Sequence, residues 1–473
     1  MTTCDPSPGA SNTCPTGYHC TPDGKCDALC LQGGDQCGSG YVCTDDGNCN
    51  PAGQCQGIAC NVASCSGTGQ SPTTLTGQVF APNGTLPIYG VTVYVPNSPP
   101  GPFTDGVTCA QCTDALPGDP IVQTKTDEDG NFTLQGVPSG SNIPVVITIG
   151  KWRRQITVPT ISDCTSSAIA ATDTTLPKSM SDMTANTTGV DIPRIAISTG
   201  SADALECLIR KLGIADTEIG TAGGTQRIQL YSDLSSAGVG VSKFDSGTAF
   251  ADSKNLWDTS AHLSVYDIVI LSCEGEQAAN TKPQSAMDAM KAYADVGGRV
   301  FMSHWHNIWI EGATQAGTGN AGQKPAVWPA IATWTDNDNG GTNIDLIDEV
   351  SNPKGTSFAT WMMNVMGSTV RDQIPISNSK GTSIGLDESK AERWVYTNNT
   401  AAHPQNFQFL TPNEDTMNAC GKVVFSDMHV SGTITASGAY PSACTPLGTA
   451  LTPQEKALAF MFFDISSCVG TIE

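Results

Sequence analysis

Gly297-Gly298-Arg299-Val300-Phe301-Met302-Ser303-His304 decides the fold. A helical pattern with Ala286, Met290, Tyr293 and Ala294 on one face ends at the glycine pair. An unbroken apolar run follows and stops at a serine and a histidine. The same ending recurs where Ile195-Ala196-Ile197 meets Ser198, where Ile268 to Leu271 meets Ser272-Cys273-Glu274, and where Val423-Val424-Phe425 meets Ser426-Asp427-Met428-His429. Uninterrupted apolar segments of this length read as parallel strands covered on both faces. In an open α/β sheet the groups just past their carboxyl ends line the crevice where ligands bind. Cys273, Glu274, His304, His306, Asp427 and His429 are therefore expected on one rim, the one place in the chain where chemistry is expected.

Helices alternate with these strands. Ala204, Leu205, Leu208 and Leu212 form one face of a helix expected from about Ser201 to Gly213. The last helix has the clearest start, with Thr452 as N-cap, Pro453 at the first helical position and Glu455 closing a capping box. Alternation of this kind gives an α/β three-layer domain with a mainly parallel sheet, expected over residues 193–473.

The chain has 473 residues, too many for one ordinary core, so it is expected to be multidomain. Asp and Glu number 45 against 23 Lys and Arg, a net charge of -22. A field of that sign repels phosphate backbones and anionic membrane surfaces, which excludes nucleic acid and lipid headgroups as expected partners. Nineteen cysteines are present, eleven of them before residue 66. Such a density persists as structure only where disulfides form, so the protein is expected outside the cytosol, secreted or at the cell surface. No basic or apolar export segment follows Met1 and no run is long enough to span a bilayer. The export signal is expected to have been removed, or the chain to start elsewhere.

Residues 1–68 hold a repeat: Cys14-Pro-Thr-Gly-Tyr-His-Cys20-Thr-Pro-Asp-Gly-Lys-Cys26 aligns with Cys37-Gly-Ser-Gly-Tyr-Val-Cys43-Thr-Asp-Asp-Gly-Asn-Cys49, with Cys4 and Cys30 ahead of the two units. Each unit has almost nothing apolar to bury, so its stability is expected from cross-links among these eight cysteines, at roughly 2–4 kcal/mol each. Metal binding here would need CxxC spacing, which the units lack. They resemble the small cysteine-rich modules of secreted and surface proteins, which implies spacers or adhesive knobs.

From residue 69 to 170 the texture becomes alternating. Thr76 to Ala81, Val91 to Val95, Asn131 to Leu134 and Val145 to Ile149 read as short strands separated by Asn83-Gly84, Asp129-Gly130 and Ser139-Gly140 turns, the pattern of a β-sandwich. Gly77-x-Val79, Asn83-Gly84, Pro87, Gly90-Val91-x-Val93, Thr126 to Phe132 and Gly136-Val137-Pro138-x-Gly140 resemble the carboxypeptidase regulatory-like (transthyretin-like) domain. The resemblance implies a non-catalytic accessory domain. Eleven cysteines before Cys109-x-x-Cys112 and three within the sandwich are both odd counts, so one bridge is expected to cross from the repeats to the sandwich. Residues 171–192, rich in Thr, Ser and Asp without periodicity, read as a linker.

Tyr266 to Leu271, Gly297 to His304 and Gly421 to His429 resemble the class I glutamine-amidotransferase-like fold, nearest to its trehalose-utilisation type. In that family a cysteine in a Gly-x-Cys-x-Gly elbow follows the strand that here ends at Met302. This chain has Ser303-His304-Trp305-His306 instead, so the resemblance implies the fold without the glutaminase nucleophile, and no strained elbow is expected.

Three readings of the rim compete. In one, His304, His306 and His429, helped by Glu274 or Asp427, bind a divalent metal ion. In another, Cys273 is a displaced nucleophile, with Glu274, His304 and His429 around it and a histidine as base. In the third, Cys273 is unreactive and the histidines satisfy hydrogen bonds around a closed crevice. The third is preferred, with no cofactor required and no ion expected. Among the five cysteines after residue 193, internal pairing leaves one free, and Cys273 is the first choice.

Between Trp305 and Trp361 an insertion carries Trp309, Trp328, Trp334 and Asp336-Asn337-Asp338-Asn339-Gly340-Gly341. Aromatic faces beside polar groups suit sugars, and Trp305, His306, Trp309 and Asp427 are the candidate ligand-binding residues. The plainer reading, aromatics filling a core, is preferred. The function expected is that of an exported bacterial surface or secreted protein with a binding or structural role. Its candidate partners are carbohydrate, another surface protein or a second copy of itself. The alternative is a hydrolase acting on a carbohydrate or amide through the rim.

Overall fold

The computed structural model describes residues 55–65, 71–232, 240–314, 327–328, 330–336, 340–430, 438–448 and 450–470, with the backbone alone for four short strands before residue 52. Those strands are two antiparallel hairpins. His19–Cys20 pairs with Cys26–Asp27 and Tyr41–Cys43 with Cys49–Pro51, setting Cys20 opposite Cys26 and Cys43 opposite Cys49. The repeat is thus a repeat of backbone. The cross-links expected among Cys4, Cys14, Cys20, Cys26, Cys30, Cys37, Cys43 and Cys49 lie outside the described side chains.

Two sheets follow. One has five strands in the order Thr187–Asp191, Trp152–Ile161, Gly140–Ile149, Thr92–Pro96, Pro120–Lys125, and the other three, Ser166–Ala168, Thr74–Gln78, Asn131–Gln135. Alternation does its expected work: Phe132 and Leu134 turn inward while Asn131, Thr133 and Gln135 face solvent.

Residues 171–192 are not a linker. Thr187–Asp191 is the edge strand of the five-stranded sheet, paired with Trp152–Ile161. The stretch before it wraps the buried Arg154, whose guanidinium donates to the Thr175 and Asp182 carbonyls and pairs with the Asp182 carboxylate at 2.7 Å. Asp173 accepts from Thr184 and Asn186. Hydroxyls and carboxylates, not apolar periodicity, hold this segment, so a hydrophobic pattern search passes over it.

The large sheet has eleven strands. Ile219–Thr221, Ile228–Ser232, Ile195–Thr199, Ile268–Leu271, Arg299–Ser303 and Gly421–Ser426 run parallel in that spatial order. Pro404–Thr411, Ala391–Thr397, Asn343–Ile347 and Gln373–Ile376 continue it antiparallel. Alternate strand residues face two cores. Ile195, Ile197, Ile268, Ile270, Phe301 and Val424 pack with Leu205–Lys211 and Pro453–Ser466. Ala196, Val269, Leu271, Val300, Met302, Val423 and Phe425 pack with Gln284–Asp295 and the Trp257 region. Three layers result, as the apolar runs require. The last helix begins with the expected capping box between Thr452 and Glu455 and with Pro453 in its first turn.

Five disulfides join described residues. Cys65–Cys164 ties the amino-terminal region to the sandwich, and Cys207–Cys444 lies within the α/β domain. Cys55–Cys60 closes a short loop. Cys109–Cys420 and Cys112–Cys468 staple the sandwich's long insertion to the α/β domain, so of the later cysteines only Cys207 and Cys444 pair internally. Among the described cysteines Cys273 alone is free. Bridges of this number mark an oxidising compartment. No helix among the described residues is long and apolar enough to cross a membrane.

The sandwich packs against the amino-terminal ends of the parallel strands. Lys151 donates to the Thr104 and Gly106 carbonyls and pairs with Asp267 at 2.6 Å, just before the Ile268 strand. Trp152 meets Phe462 and Phe463 edge-on. The rim lies at the opposite end of the strands.

Candidate rim site

Three neighbouring strands end at the rim. Cys273 follows Ile268–Leu271, His304 follows Arg299–Ser303, and His429 follows Gly421–Ser426. The Sγ of Cys273 lies 3.4 Å from Nδ1 of His304, and the His304 and His429 rings meet edge-on at 5.2 Å between centroids. One donor atom from each of the three lies within 4.8 Å of the others. All three residues are buried.

His304 sits at φ 43°, in the left-handed region that a non-glycine residue enters at a cost of about 1–3 kcal/mol. The expectation of an unstrained turn is corrected: the sharp turn after the strand is present, and a histidine occupies it. A short 3-10 helix, His304–Asn307, leaves that turn and carries Trp305 and His306 away from it.

The cysteine sulfur also receives the backbone N–H of Gly275, at 3.4 Å, and that of Trp305. Burial pushes the Cys273 thiol up to about 12, the fields of Asp203 and Glu274 add to the rise, and the two N–H groups oppose it. Burial likewise holds His304 well below the usual imidazole value, with His429 and Lys380 adding. The pair is therefore an uncharged thiol beside an uncharged imidazole, not a thiolate and imidazolium.

The other expected rim residues are engaged elsewhere. His306 accepts at Nδ1 from Trp309 Nε1–H at 3.1 Å and donates from Nε2 to the Ser272 carbonyl at 3.0 Å, so both ring nitrogens are used. It does not face the point that Cys273, His304 and His429 share, which corrects its place in the metal set. Glu274 forms a buried ion pair with Lys282 at 2.6 Å, and the ammonium also lies over the Trp257 ring at 5.2 Å. Removing one partner of such a pair costs about 3–5 kcal/mol, so Glu274 holds the strand-end loop in place. Asp427 accepts from Thr382 Oγ1 and from the backbone N–H of Ser383, anchoring the insertion's return to the sheet.

The insertion's tryptophans fill a core. Trp305, Trp309 and Trp328 are buried, and the half-buried Trp334 lies edge-on to Phe425 at 4.9 Å. Asn337, Asp338 and Asn339 lie outside the described residues.

Sequence reasoning missed two residues that organise the rim. Asp203 accepts from Ser303 Oγ at 2.7 Å and from the backbone N–H groups of Val430 at 2.8 Å and Ala204 at 3.0 Å. Its position just past the first apolar run was the available signal. Lys282, inside a Thr-Lys-Pro helix start, gave none. A polar cluster of Gln277, Asn307 and Glu311 stands beside the rim, its carboxyl group raised to about 7 by burial. Away from the rim, a cavity of about 420 Å³ separates sandwich and α/β domain, lined in part by Tyr89, Trp361, Lys422, Phe460 and Asp464.

No protein-family model matches the chain, and no curated protein matches it. Among solved structures, a cytoplasmic protein from Salmonella typhimurium aligns over 58% of this chain and 99% of its own, at 12% identity and a TM-score of 0.32. A ThuA-like protein from Bacteroides uniformis aligns over 57% of this chain and 90% of its own, at 11% identity and a TM-score of 0.29. A second Salmonella typhimurium cytoplasmic protein covers 57% of this chain and 99% of its own, at 11% identity and a TM-score of 0.31. The chain is distantly similar in structure to these proteins. Likeness at this level says nothing of activity.

Proposed function

We propose that the chain is an exported bacterial surface or secreted protein that acts by binding or as a structural element, with a carbohydrate or another surface protein as its partner. What carries the reading is the sealing of the rim. Cys273, His304, His306 and His429 are each at most 1% exposed, so no open path to the thiol is seen among the described residues. The disulfides that clamp sandwich to α/β domain support a rigid, durable body rather than one that opens and closes. Native protein treated with iodoacetamide should keep an unmodified Cys273 for hours and lose it only on unfolding. Stoichiometric alkylation within minutes, with the fold intact, would overturn the reading.

One observation favours a hydrolase acting on a carbohydrate or amide: His304 holds a strained conformation and meets the Cys273 sulfur at 3.4 Å. That reading requires turnover of a glycoside or amide which Cys273→Ala abolishes.

A further inference from the structure

We propose that Cys273, His304 and His429 together supply three of the ligands of one divalent transition-metal ion, zinc before others, held within the closed rim. The proposal rests on the reading that the rim is closed. Its ligand set differs from the one the histidine spacing points to, because Cys273 enters and His306 leaves.

The first argument is distance. Zinc–sulfur bonds near 2.3 Å and zinc–nitrogen bonds near 2.0–2.1 Å put the two ligand atoms about 3.5 Å apart along the edge of a tetrahedron. Cys273 Sγ and His304 Nδ1 stand at 3.4 Å, and the donor atom of His429 completes a triangle whose sides are all within 4.8 Å. One thiolate with two imidazoles suits zinc or copper, while magnesium and calcium need oxygen donors.

The second argument is the shell around the ligands. A neutral thiol is a weak acceptor, yet two backbone N–H groups, from Gly275 and Trp305, are aimed at this sulfur. Donors so placed favour a metal-bound thiolate. The Asn378 side-chain amide stands 3.4 Å from His429 Nδ1. The atom facing it is the amide nitrogen Nδ2, and a half-turn of the amide would present its oxygen to Nδ1–H instead, the orientation that suits a metal-bound imidazole.

The third argument is charge and rigidity. A divalent ion with one thiolate carries a net positive charge, and the buried Asp203 carboxylate lies close enough to interact with Cys273. Asp203 holds Ser303 and Val430, each adjacent in sequence to one of the two histidines. All three ligands follow neighbouring strands of one sheet, so the site is fixed before an ion arrives. Binding releases the thiol proton to solvent, and the ion changes no oxidation state.

The test uses the full chain. Protein produced and folded in the presence of zinc and then dialysed against buffer should retain one ion per chain by elemental analysis, and cobalt supplied in its place during folding should show a thiolate-to-cobalt charge-transfer band. Cys273→Ser and His429→Ala should each weaken zinc binding at least about tenfold, while His306→Gln should not. An ion retained equally by all variants is adventitious and overturns the proposal. So does the absence of both ion and cobalt band in folded wild-type protein, a result that needs no variant and leaves the non-catalytic reading standing. A bound ion accompanied by hydrolytic turnover supports the proposal and sinks that reading instead.

Discussion

Asp203 and Val430, 227 residues apart, are joined by a 2.8 Å hydrogen bond from the Val430 backbone N–H to the buried carboxylate. The same carboxylate accepts from Ser303 at 2.7 Å, so one side chain holds the backbone beside both His304 and His429. The rim depends on this residue although it stands outside the Cys273, His304 and His429 cluster.

Asp203→Ala should therefore destabilise the α/β domain by about 3 kcal/mol, since it leaves a hydroxyl and two backbone N–H groups unpaired in a closed interior. The urea midpoint measures this. Cys273 should become alkylatable in the variant under conditions where the wild type is inert. An unchanged midpoint would mean that the network is dispensable.

Glu206 makes stability fall as pH rises. Burial pushes its carboxyl from the ordinary 4.5 up to about 8, with the Asp203 charge adding to the rise. Below 4.5 both folded and unfolded forms are protonated and the group contributes nothing. Between 4.5 and about 8 the unfolded form has lost its proton and the folded form keeps it. Stability then drops by up to about 1.4 kcal/mol per pH unit from this group. Asp203, pushed up to about 6 by burial, acts in the same direction over a narrower window. Thermal unfolding from pH 5 to 8 should show the decline, and Glu206→Gln should flatten it.

The two staples between sandwich insertion and α/β domain close loops of 311 and 356 residues. In the chain-entropy account the first to close contributes roughly 5 kcal/mol and the second, whose loop the first has already shortened, roughly 4 kcal/mol. Cys109→Ser with Cys112→Ser should lower the melting temperature by ten degrees or more on the scale of about 2–4 °C per kcal/mol, and limited proteolysis should then cut first near residues 100–118. Full reduction should also expose the repeats before residue 66 ahead of the α/β core. Equal resistance of both regions after reduction would count against a cross-linked amino-terminal segment.

Gly150 marks a close approach of the two large domains. It sits at φ +55°, and a Cβ there would stand 1.9 Å from the Ser466 carbonyl oxygen. Gly150→Ala should cost at least about 2 kcal/mol, with the Trp152 contacts to Phe462 and Phe463 loosened. Tryptophan emission should shift to the red. A neutral result would mean that the domains can slide apart without loss.

The parallel strands, the three layers, the last helix with its cap and the sandwich strands were legible because each depends on local periodicity or on cap chemistry within a few residues. The strand-end rule also points to Cys273, His304 and His429 from the order of residues alone. It does not separate them from His306, Glu274 and Asp427, because strand ends specify a neighbourhood but not where a side chain points. His306 turns to Trp309 and Ser272, Glu274 to Lys282, and Asp427 to Thr382 and Ser383.

What the sequence determined by itself was the architecture: alternation or unbroken runs of apolar residues dictate which faces are buried, and burial of those faces dominates folding. Only the tertiary structure decided the cysteine pairing across domains, the Arg154-centred packing of residues 171–192, and the left-handed turn at His304. Each of these turns on hydrogen bonds or cross-links between residues far apart in the chain. Such contacts leave no periodic trace, because their partners are brought together only when the sheet has formed.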